Sequence, residues 1–191
     1  MSTIDAGFSV SLDGFVADEN DDISSLYGWM VANADRTDDL DEMTYTDEGR
    51  DVQEERSAQV GAIVAGRRTF DLARGWGGRH PLGVPVVVLT HDPPAEWAGD
   101  EHPFTFVTTG VEDAVAAARD LAGDRPVSVC GPDVMRQCLR AGLLDEVGVD
   151  LVPVLLGRGV PLFTPDCTAR LEKVSAVDAP GVTHLRYRVV G

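Results

Sequence analysis

Two adjacent arginines, Arg67 and Arg68, follow a glycine at the point where an apolar run gives way to a helix-forming segment. The apolar run covers residues 62–65 and stops at Gly66, and Thr69 opens the segment that follows the arginines. This order predicts a strand, a tight turn and a helix. Basic residues are unfavourable at a helix start, because they meet the positive end of the helix macrodipole. A negatively charged ligand at this turn would resolve the conflict.

Phosphate is the ligand chemistry that suits such a turn. The free backbone N–H groups of a helix N-terminus bind phosphate, and arginine adds bidentate, charge-assisted hydrogen bonds. The alternative is a surface turn whose arginines pair with carboxylates, which are abundant in a chain with 32 Asp and Glu residues. On these residues alone both interpretations stay open.

Composition excludes several classes of partner. The 191 residues carry a formal net charge of −16, which argues against nucleic acid and against anionic membranes, since both need a basic surface. No run approaches the roughly 20 apolar residues of a membrane span, and residues 1–14 lack the features of a signal peptide, so we expect a cytoplasmic protein. We expect no metal site, because the cysteines and histidines lack ligand spacing: Cys130, Cys138, Cys167, His80, His91, His102 and His184.

The segments around this turn alternate between strand-like and helix-like patterns. A continuous β-branched run at residues 84–90 predicts a strand buried on both faces, and residues 111–122 predict a helix that ends at Gly123. Residues 147–156 predict a long strand, and the last strand-like segments, around residues 171–190, predict a hairpin. The fold class is therefore α/β, a single domain over residues 1–191. We expect a central mixed, mostly parallel sheet of about eight strands flanked by helices, with a C-terminal antiparallel hairpin.

Four turns follow predicted strands. In open α/β sheets, ligands bind beyond the carboxyl ends of the strands. If the strands are parallel neighbours, helix N-termini and cations converge on one crevice, which suits a dinucleotide phosphate. There is no GxGxxG pattern, so a standard Rossmann site is not supported. The four turns are Gly66-Arg67-Arg68-Thr69, Thr90-His91-Asp92, Gly131-Pro132-Asp133 and Gly157-Arg158-Gly159.

The chain resembles the bacterial bifunctional deaminase-reductase C-terminal domain family, whose members have the dihydrofolate reductase-like fold. The resemblance is carried by an ordered series of segments over nearly the whole chain, and residues 18–60 match least. The longest match runs from residues 141–146 into residues 153–163. The shorter ones are residues 11–17, residues 66–70 with Trp76, residues 86–90 and residues 127–131.

The resemblance implies NADPH as cofactor and hydride transfer to a pterin, a pyrimidine or a related small heterocycle. Gly66, Arg67, Arg68 and Thr69 would face the cofactor phosphates, and the two arginines would favour the 2′-phosphate of NADPH. Thr90 and His91 would flank the adenosine end. Gly131, Pro132 and Asp133 would bring a helix N-terminus to the pyrophosphate. The resemblance also makes a homodimer plausible.

Asp13 lies in the loop that borders the nicotinamide and substrate in this fold, so it is the candidate catalytic residue. A buried carboxylate there would position or protonate a ring nitrogen if its pKa were raised. A structural turn at Asp13-Gly14 is the alternative.

One turn departs from the family pattern, because many relatives carry consecutive glycines where this chain has Cys130-Gly131-Pro132. Proline removes a backbone donor, and cysteine adds bulk. Cys130 is either a thiol of lowered pKa or a small buried apolar residue. These departures keep a second function open, a catalytically silent binding or regulatory protein that retains the fold.

Overall fold

The computed structural model describes residues 2–32, 44–97 and 102–191. Residues 31–56 form an acidic section of the sequence. The structure describes most of this section, but residues 33–43 lie outside the described residues.

The strands form one large sheet and one small sheet. In the large sheet the order is β5-β4-β3-β6-β1-β7-β10-β9, and β2 pairs separately with β8. The neighbours from β5 to β1 are parallel, whereas β10 is antiparallel to both β7 and β9. The strands are β1 (Ile4–Ser11), β2 (Phe15–Ala17), β3 (Ala62–Gly66), β4 (Val86–Leu89), β5 (Phe104–Val107), β6 (Val127–Cys130), β7 (Glu146–Val152), β8 (Val160–Pro161), β9 (Arg170–Ala179) and β10 (Val182–Val190).

The helices of the described residues follow the alternation that the sequence predicts. They are α1 (Ser24–Tyr27), α2 (Asp47–Gln59), α3 (Arg67–Leu72), α4 (Val111–Ala122) and α5 (Pro132–Arg140). Short 3-10 turns lie at Arg74–Gly78 and Ala95–Trp97. The predicted mixed, mostly parallel sheet of eight strands with a C-terminal antiparallel hairpin is confirmed.

The chain divides into two compact units. Unit 1 contains Met1–Ala6 and Arg56–Asp145, and unit 2 contains Gly7–Glu55 and Glu146–Gly191. The single domain over residues 1–191 stays a prediction. In unit 1, β3 and β4 are buried strands because helices cover them, α4 against both and α5 against β3 and β6. Unit 1 therefore contains the parallel strands whose ends carry three of the four predicted turns.

Unit 2 has its own core, between the β7–β10 region and the segment around α1 and α2. Its fully buried members are Leu26, Trp29, Met30, Val31, Val152 and Val182. The strand predicted at residues 147–156 ends at Val152, since Pro153 supplies no backbone N–H for a ladder. The small sheet was not predicted, because β2 and β8 have only three and two residues. Gly159 permits it, since a β-carbon there would overlap the Ala17 carbonyl oxygen.

Candidate functional site

Three of the four predicted turns lie at one edge of the sheet in unit 1. β4, β3 and β6 are parallel neighbours in that order, and Gly66 is level with Leu89 while Ala65 is level with Cys130. The turns that begin at Gly66, after Leu89 and after Cys130 therefore leave the sheet side by side. The fourth turn, Gly157-Arg158-Gly159, belongs to unit 2.

Gly131 and Thr69 make the closest approach between two of these turns. Gly131 has φ +112°, a conformation that side chains rarely adopt. A β-carbon at this position would lie 2.6 Å from Thr69 Oγ1 and 3.7 Å from the Gly66 nitrogen. Glycine is thus required both for the backbone conformation and for the contact. The start of α5 and the start of α3 consequently approach each other at Gly131, Gly66 and the Thr69 hydroxyl, and we call this place the cradle.

Arg67 connects the first turn to the second. Its Nε donates to both carboxylate oxygens of Asp71, at 2.7 and 2.9 Å, one helical turn along α3. Its Nη1 donates to the carbonyl oxygen of Asp92 in the loop after β4. Arg67 therefore does pair with a carboxylate, as the surface-turn alternative expects, through its Nε, while its role at a phosphate stays a prediction. Arg68 beside it is exposed.

The loop after β4 is fixed by its own threonine. Thr90 is buried, its Oγ1 donates to the Asp92 carbonyl oxygen at 3.1 Å, and the Asp92 N–H lies 3.2 Å from the same Oγ1. This local side-chain turn holds the Asp92 carbonyl where Arg67 binds it. His91 lies between them and is exposed to solvent.

Pro132 and Asp133 begin α5. Pro132 occupies the start of the helix, where a missing N–H costs no intrahelical bond. The Asp133 carboxylate accepts from Gln137 Nε2 at 2.9 Å and lies 3.5 Å from Arg136 Nη2, so its partners lie one turn along the helix. Pro132 has no N–H group, but the residues that follow it in the first turn of α5 still have theirs. A phosphate therefore fits the residues present, with one backbone donor fewer than a glycine at position 132 would give.

Cys130 lies just before this cradle and packs against the apolar core of unit 1. Burial raises the pKa of its thiol to about 11. The thiol is therefore protonated at neutral pH, because its environment disfavours the thiolate. The raised pKa and the packing against the core favour the small apolar residue over the reactive thiol at Cys130.

Phe70 fixes the orientation of α3 by packing into the apolar core of unit 1. It is 1% exposed and makes edge-to-face contacts, with ring centroids 5.1–5.9 Å apart, to Trp76, Trp97, Phe104 and Phe106. Aromatic pairs prefer this geometry. The helix that carries the arginines is thereby anchored in the core.

Trp76 is half-buried against the apolar core of unit 1, and it lies in an unusual left-handed turn. Arg74, Gly75, Trp76 and Gly77 all have φ between +49° and +63°. His80 packs edge-on against Trp76 at 4.7 Å, and burial lowers the pKa of His80 to about 4. The Leu82 N–H donates to His80 Nδ1 at 3.2 Å, as a neutral imidazole allows.

Asp13, in unit 2, ties two loops together. It accepts from Ser11 Oγ at 2.6 Å, from the Leu156 N–H at 3.1 Å and from the Gly157 N–H at 2.6 Å. The hydrogen bond from Ser11 is the largest cause and lowers the pKa of Asp13; burial comes next and raises it, and the N–H groups of Gly157 and Leu156 lower it further, so the pKa is lowered overall. Asp13 is exposed and ionised, so the raised pKa that proton donation requires is absent.

Further bonds in unit 2 reinforce the connection that Asp13 makes. The Leu12 N–H donates to the Val154 carbonyl at 2.8 Å, and the Leu162 N–H donates to the Gly14 carbonyl at 2.9 Å. Arg158, a weak candidate from its sequence, pairs with Glu19 at 3.3 Å on the surface.

An open cleft of about 300 Å³ lies in unit 2, a volume at the lower limit for small-molecule sites. None of the predicted site residues lines it. Its lining is mainly apolar and includes Leu12, Leu151, Pro153, Ala179 and Val182.

Two findings concern the described residues as a whole. No group of three or more His, Cys, Asp or Glu side chains within residues 2–32, 44–97 and 102–191 is placed to hold a metal ion. Across the same ranges, no helix has the length and apolar character to cross a membrane.

Comparison with solved structures places the fold among reductase-type α/β folds. A protein from Shewanella sp. PV-4 named for riboflavin biosynthesis superposes with a TM-score of 0.75 at 24% identity, and the match covers 100% of both chains. Dihydrofolate reductase from Enterococcus faecalis, complexed with NADP(H), gives a TM-score of 0.60 at 17% identity over 99% of this chain and 97% of that one. These similarities establish the dihydrofolate reductase-like fold.

Residues 3–184 match the family described as the RibD C-terminal domain, and the chain belongs to this family. The deaminase/reductase of Thermotoga maritima, a longer protein, matches with a TM-score of 0.65 at 18% identity over 99% of this chain and 57% of its own. An uncharacterized protein of Bacillus subtilis, YwjB, is 25% identical over 155 residues, which are 81% of this chain and 79% of that protein. The expected family resemblance is confirmed.

Proposed function

We propose that the protein is an NADPH-dependent reductase that transfers a hydride to a small heterocycle such as a pterin or a pyrimidine. A cytoplasmic location and a homodimer are part of the same proposal. The family and the reductase fold support the reaction class, and the geometry of the turns in unit 1 supports the cofactor.

The single observation that carries the proposal is the cradle at Gly131 and Thr69. Two helix starts meet there because residue 131 has no side chain: a β-carbon at Gly131 would lie 2.6 Å from the Thr69 side-chain oxygen Oγ1 and 3.7 Å from the Gly66 nitrogen. Backbone N–H groups at helix starts bind phosphate oxygens. In this proposal the cofactor pyrophosphate lies against Gly66, Thr69 and Gly131, with Pro132 and Asp133 opening the second helix. The bound nicotinamide supplies the hydride.

The 2′-phosphate of NADPH is assigned to the arginines and to the loop after β4. Arg68 and His91 are exposed, each beside one of the two neighbouring turns. Arg67 contributes charge while its bonds to Asp71 and Asp92 hold those turns together. Thr90 supports the same loop from within, so its role in binding is indirect.

Asp13 acts as a positioning residue in this proposal. Its lowered pKa keeps it ionised, and all three of its hydrogen bonds are accepted from the protein's own groups. It fixes the loop after β1 to the loop after β7 rather than donating a proton. The proton that accompanies the hydride then comes from another group or from water.

The experiment is an anaerobic turnover assay that follows NADPH absorbance in the presence of oxidised pterins, pyrimidines and related heterocycles. Oxidation of NADPH that depends on one of these compounds, and that is much slower with NADH, supports the reductase. If the protein binds NADPH but turns over none of these compounds, the cofactor assignment stands and the proposed class of substrate is rejected.

The silent binding protein is the second candidate, and two observations favour it. Pro132 lacks one backbone donor at the cradle, and the guanidinium of Arg67 is engaged with Asp71 and Asp92. Failure of the purified protein to bind either dinucleotide would favour this candidate over the reductase.

A further inference from the structure

In unit 2, one histidine lies between two carboxylates. None of these three residues belongs to the proposed cofactor site. His184 on β10 places Nδ1 2.8 Å from Asp150 Oδ1 on β7, and Nε2 3.2 Å from Glu48 Oε1 on α2. The side chains of His184, Asp150 and Glu48 are 13%, 2% and 36% exposed. We call these three residues the His184 cluster.

The hydrogen-bonding pattern requires both ring nitrogens of His184 to donate. An ionised carboxylate only accepts, and a neutral imidazole has one N–H and one lone pair. With a single proton on the ring, one of the two carboxylates would face that lone pair. With both carboxylates ionised, the two contacts are satisfied together only when each ring nitrogen carries a proton.

The two carboxylates are held with unequal strength. Asp150 is nearly inaccessible, lies at the shorter distance and has a second cationic neighbour, Arg186 Nη1 at 3.4 Å. Glu48 is accessible to water and lies at the longer distance. A buried carboxylate is costly without a partner, whereas an exposed one is solvated when released. When the ring loses one proton, the remaining N–H therefore stays with Asp150 and the contact to Glu48 is lost.

Glu48 lies in the first turn of α2, so its contact with His184 binds the start of that helix to the sheet. The same turn has other ties: Thr46 Oγ1 accepts the Gly49 N–H at 2.9 Å and donates to the Trp29 carbonyl at 2.6 Å, and Val31 bridges to Tyr45. The hydroxyl and the backbone groups in these ties do not titrate near neutral pH. The Glu48 contact is the one that a proton controls.

We propose that the His184 cluster is a pH-dependent latch on the start of α2. In its protonated form the ring holds Glu48 and fastens the first turn of the helix to β10. Loss of one proton frees Glu48 and loosens that turn, while Asp150 and Arg186 keep the strand side intact.

The groups around the ring agree with this assignment. The charged neighbours are Glu48 from α2, Asp150 from β7 and, through Asp150, Arg186 on β10 itself. Trp29 presents a ring edge-on at 5.0 Å, and Val177 of β9 is level with His184 in the ladder. Trp29 and Val177 carry no charge, so among these described neighbours the charged groups in contact with the ring are the two carboxylates.

The test is hydrogen exchange of the 191-residue protein between about pH 5.5 and pH 8.5. Rates are corrected for the intrinsic pH dependence of amide exchange. The reporters are the amides of Gly49 and Arg50, whose N–H groups bond to Thr46. We expect the corrected exchange rate at these amides to rise roughly threefold to tenfold from the acidic to the basic end of the range, because one charge-assisted hydrogen bond at a partly exposed site is lost. The amides of α4 serve as the internal control.

The variant Glu48→Gln removes the charge with little change in shape, and Glu54→Gln, at an exposed position on the same helix, is the matched control. Glu48→Gln, whose amide can pair with either form of the ring, should exchange at a corrected rate that does not change across the range, and Glu54→Gln should behave as the wild type. Equal corrected rates at Gly49 and Arg50 of the wild type across the range would overturn the latch. A pH response that survives Glu48→Gln, or that appears equally in α4, would overturn it too.

Discussion

The turn after β6 meets the turn after β3 at Gly131 and Thr69, where a β-carbon on residue 131 would lie 2.6 Å from the threonine Oγ1. Two constraints therefore coincide at one residue, the φ of +112° and the lack of space. The backbone of both turns can face the same ligand only because residue 131 has no side chain.

Replacing Gly131 by alanine should damage cofactor binding more than stability. The substitution forces a strained φ, at about 1–3 kcal/mol, and separates the two turns. We expect NADPH affinity to fall at least about tenfold, because a misplaced helix start loses its charge-assisted bonds. Gly142→Ala is the matched control, since Gly142 also has positive φ but no atom within 4 Å of an added β-carbon. If Gly131→Ala and Gly142→Ala bind NADPH with equal affinity, the cradle is not part of the cofactor site.

The arginine pair should discriminate between the two dinucleotides. Replacing Arg67 and Arg68 together by alanine removes the positive charge assigned to the 2′-phosphate, so NADPH binding should weaken by about tenfold or more while NADH binding changes little. Titration calorimetry with both cofactors measures this. Arg50→Ala, which breaks a surface ion pair on α2, is the control and should leave both affinities unchanged. An equal loss for NADPH and NADH would contradict the 2′-phosphate assignment.

Asp13→Asn should alter the acid stability of the protein. The folded-state pKa of Asp13 is lowered by its bonds, so its stabilisation is present above the unfolded pKa of about 3.9 and is lost as pH falls through the folded value. The variant should unfold at lower urea concentration near neutral pH and approach the wild type as pH falls through the lowered pKa of Asp13. Asp124→Asn, at an exposed turn after α4, should show no such convergence. Turnover in Asp13→Asn should be reduced rather than abolished if Asp13 only positions the loops.

His80 should make unit 1 sensitive to mild acid. Its folded pKa of about 4 lies below the ordinary value of 6.5, so the unfolded state takes up the proton first. The stability associated with a neutral His80 is present above about pH 6.5 and declines as pH falls through 4, by roughly 3 kcal/mol in total. His80→Gln should flatten this part of the stability curve, measured by urea unfolding at a series of pH values. His91→Gln, which changes an exposed histidine, should keep the wild-type slope.

Local pattern was enough for much of the fold and for the turns of the candidate site. The helix at residues 111–122 and the C-terminal hairpin could be predicted from apolar periodicity and from glycines at their ends. The turns at Gly66, Thr90 and Gly131 could be predicted because apolar runs stop at each of them. Their parallel alignment follows from the alternation of strands and helices.

Contacts between distant residues could not be predicted in the same way. Asp13 bonds to Gly157, 144 residues away, and His184 bonds to Glu48, 136 residues away. Neither pair leaves a signal in local composition. The exact fit of Gly131 against Thr69 depends on strand register, which periodicity does not supply. The hydrogen bond from Arg67 to the Asp92 carbonyl could not be predicted for the same reason. The pairing of Arg67 with Asp71 is different, because the two residues are four apart on one helix.

The measurement that tests the central claim most directly is titration of the purified protein with NADPH and, separately, with NADH, followed by nicotinamide fluorescence. The account predicts saturable NADPH binding at micromolar concentrations and much weaker binding of NADH. Absence of binding for both dinucleotides would contradict it, and the missing donor at Pro132 would then be the first structural reason to examine.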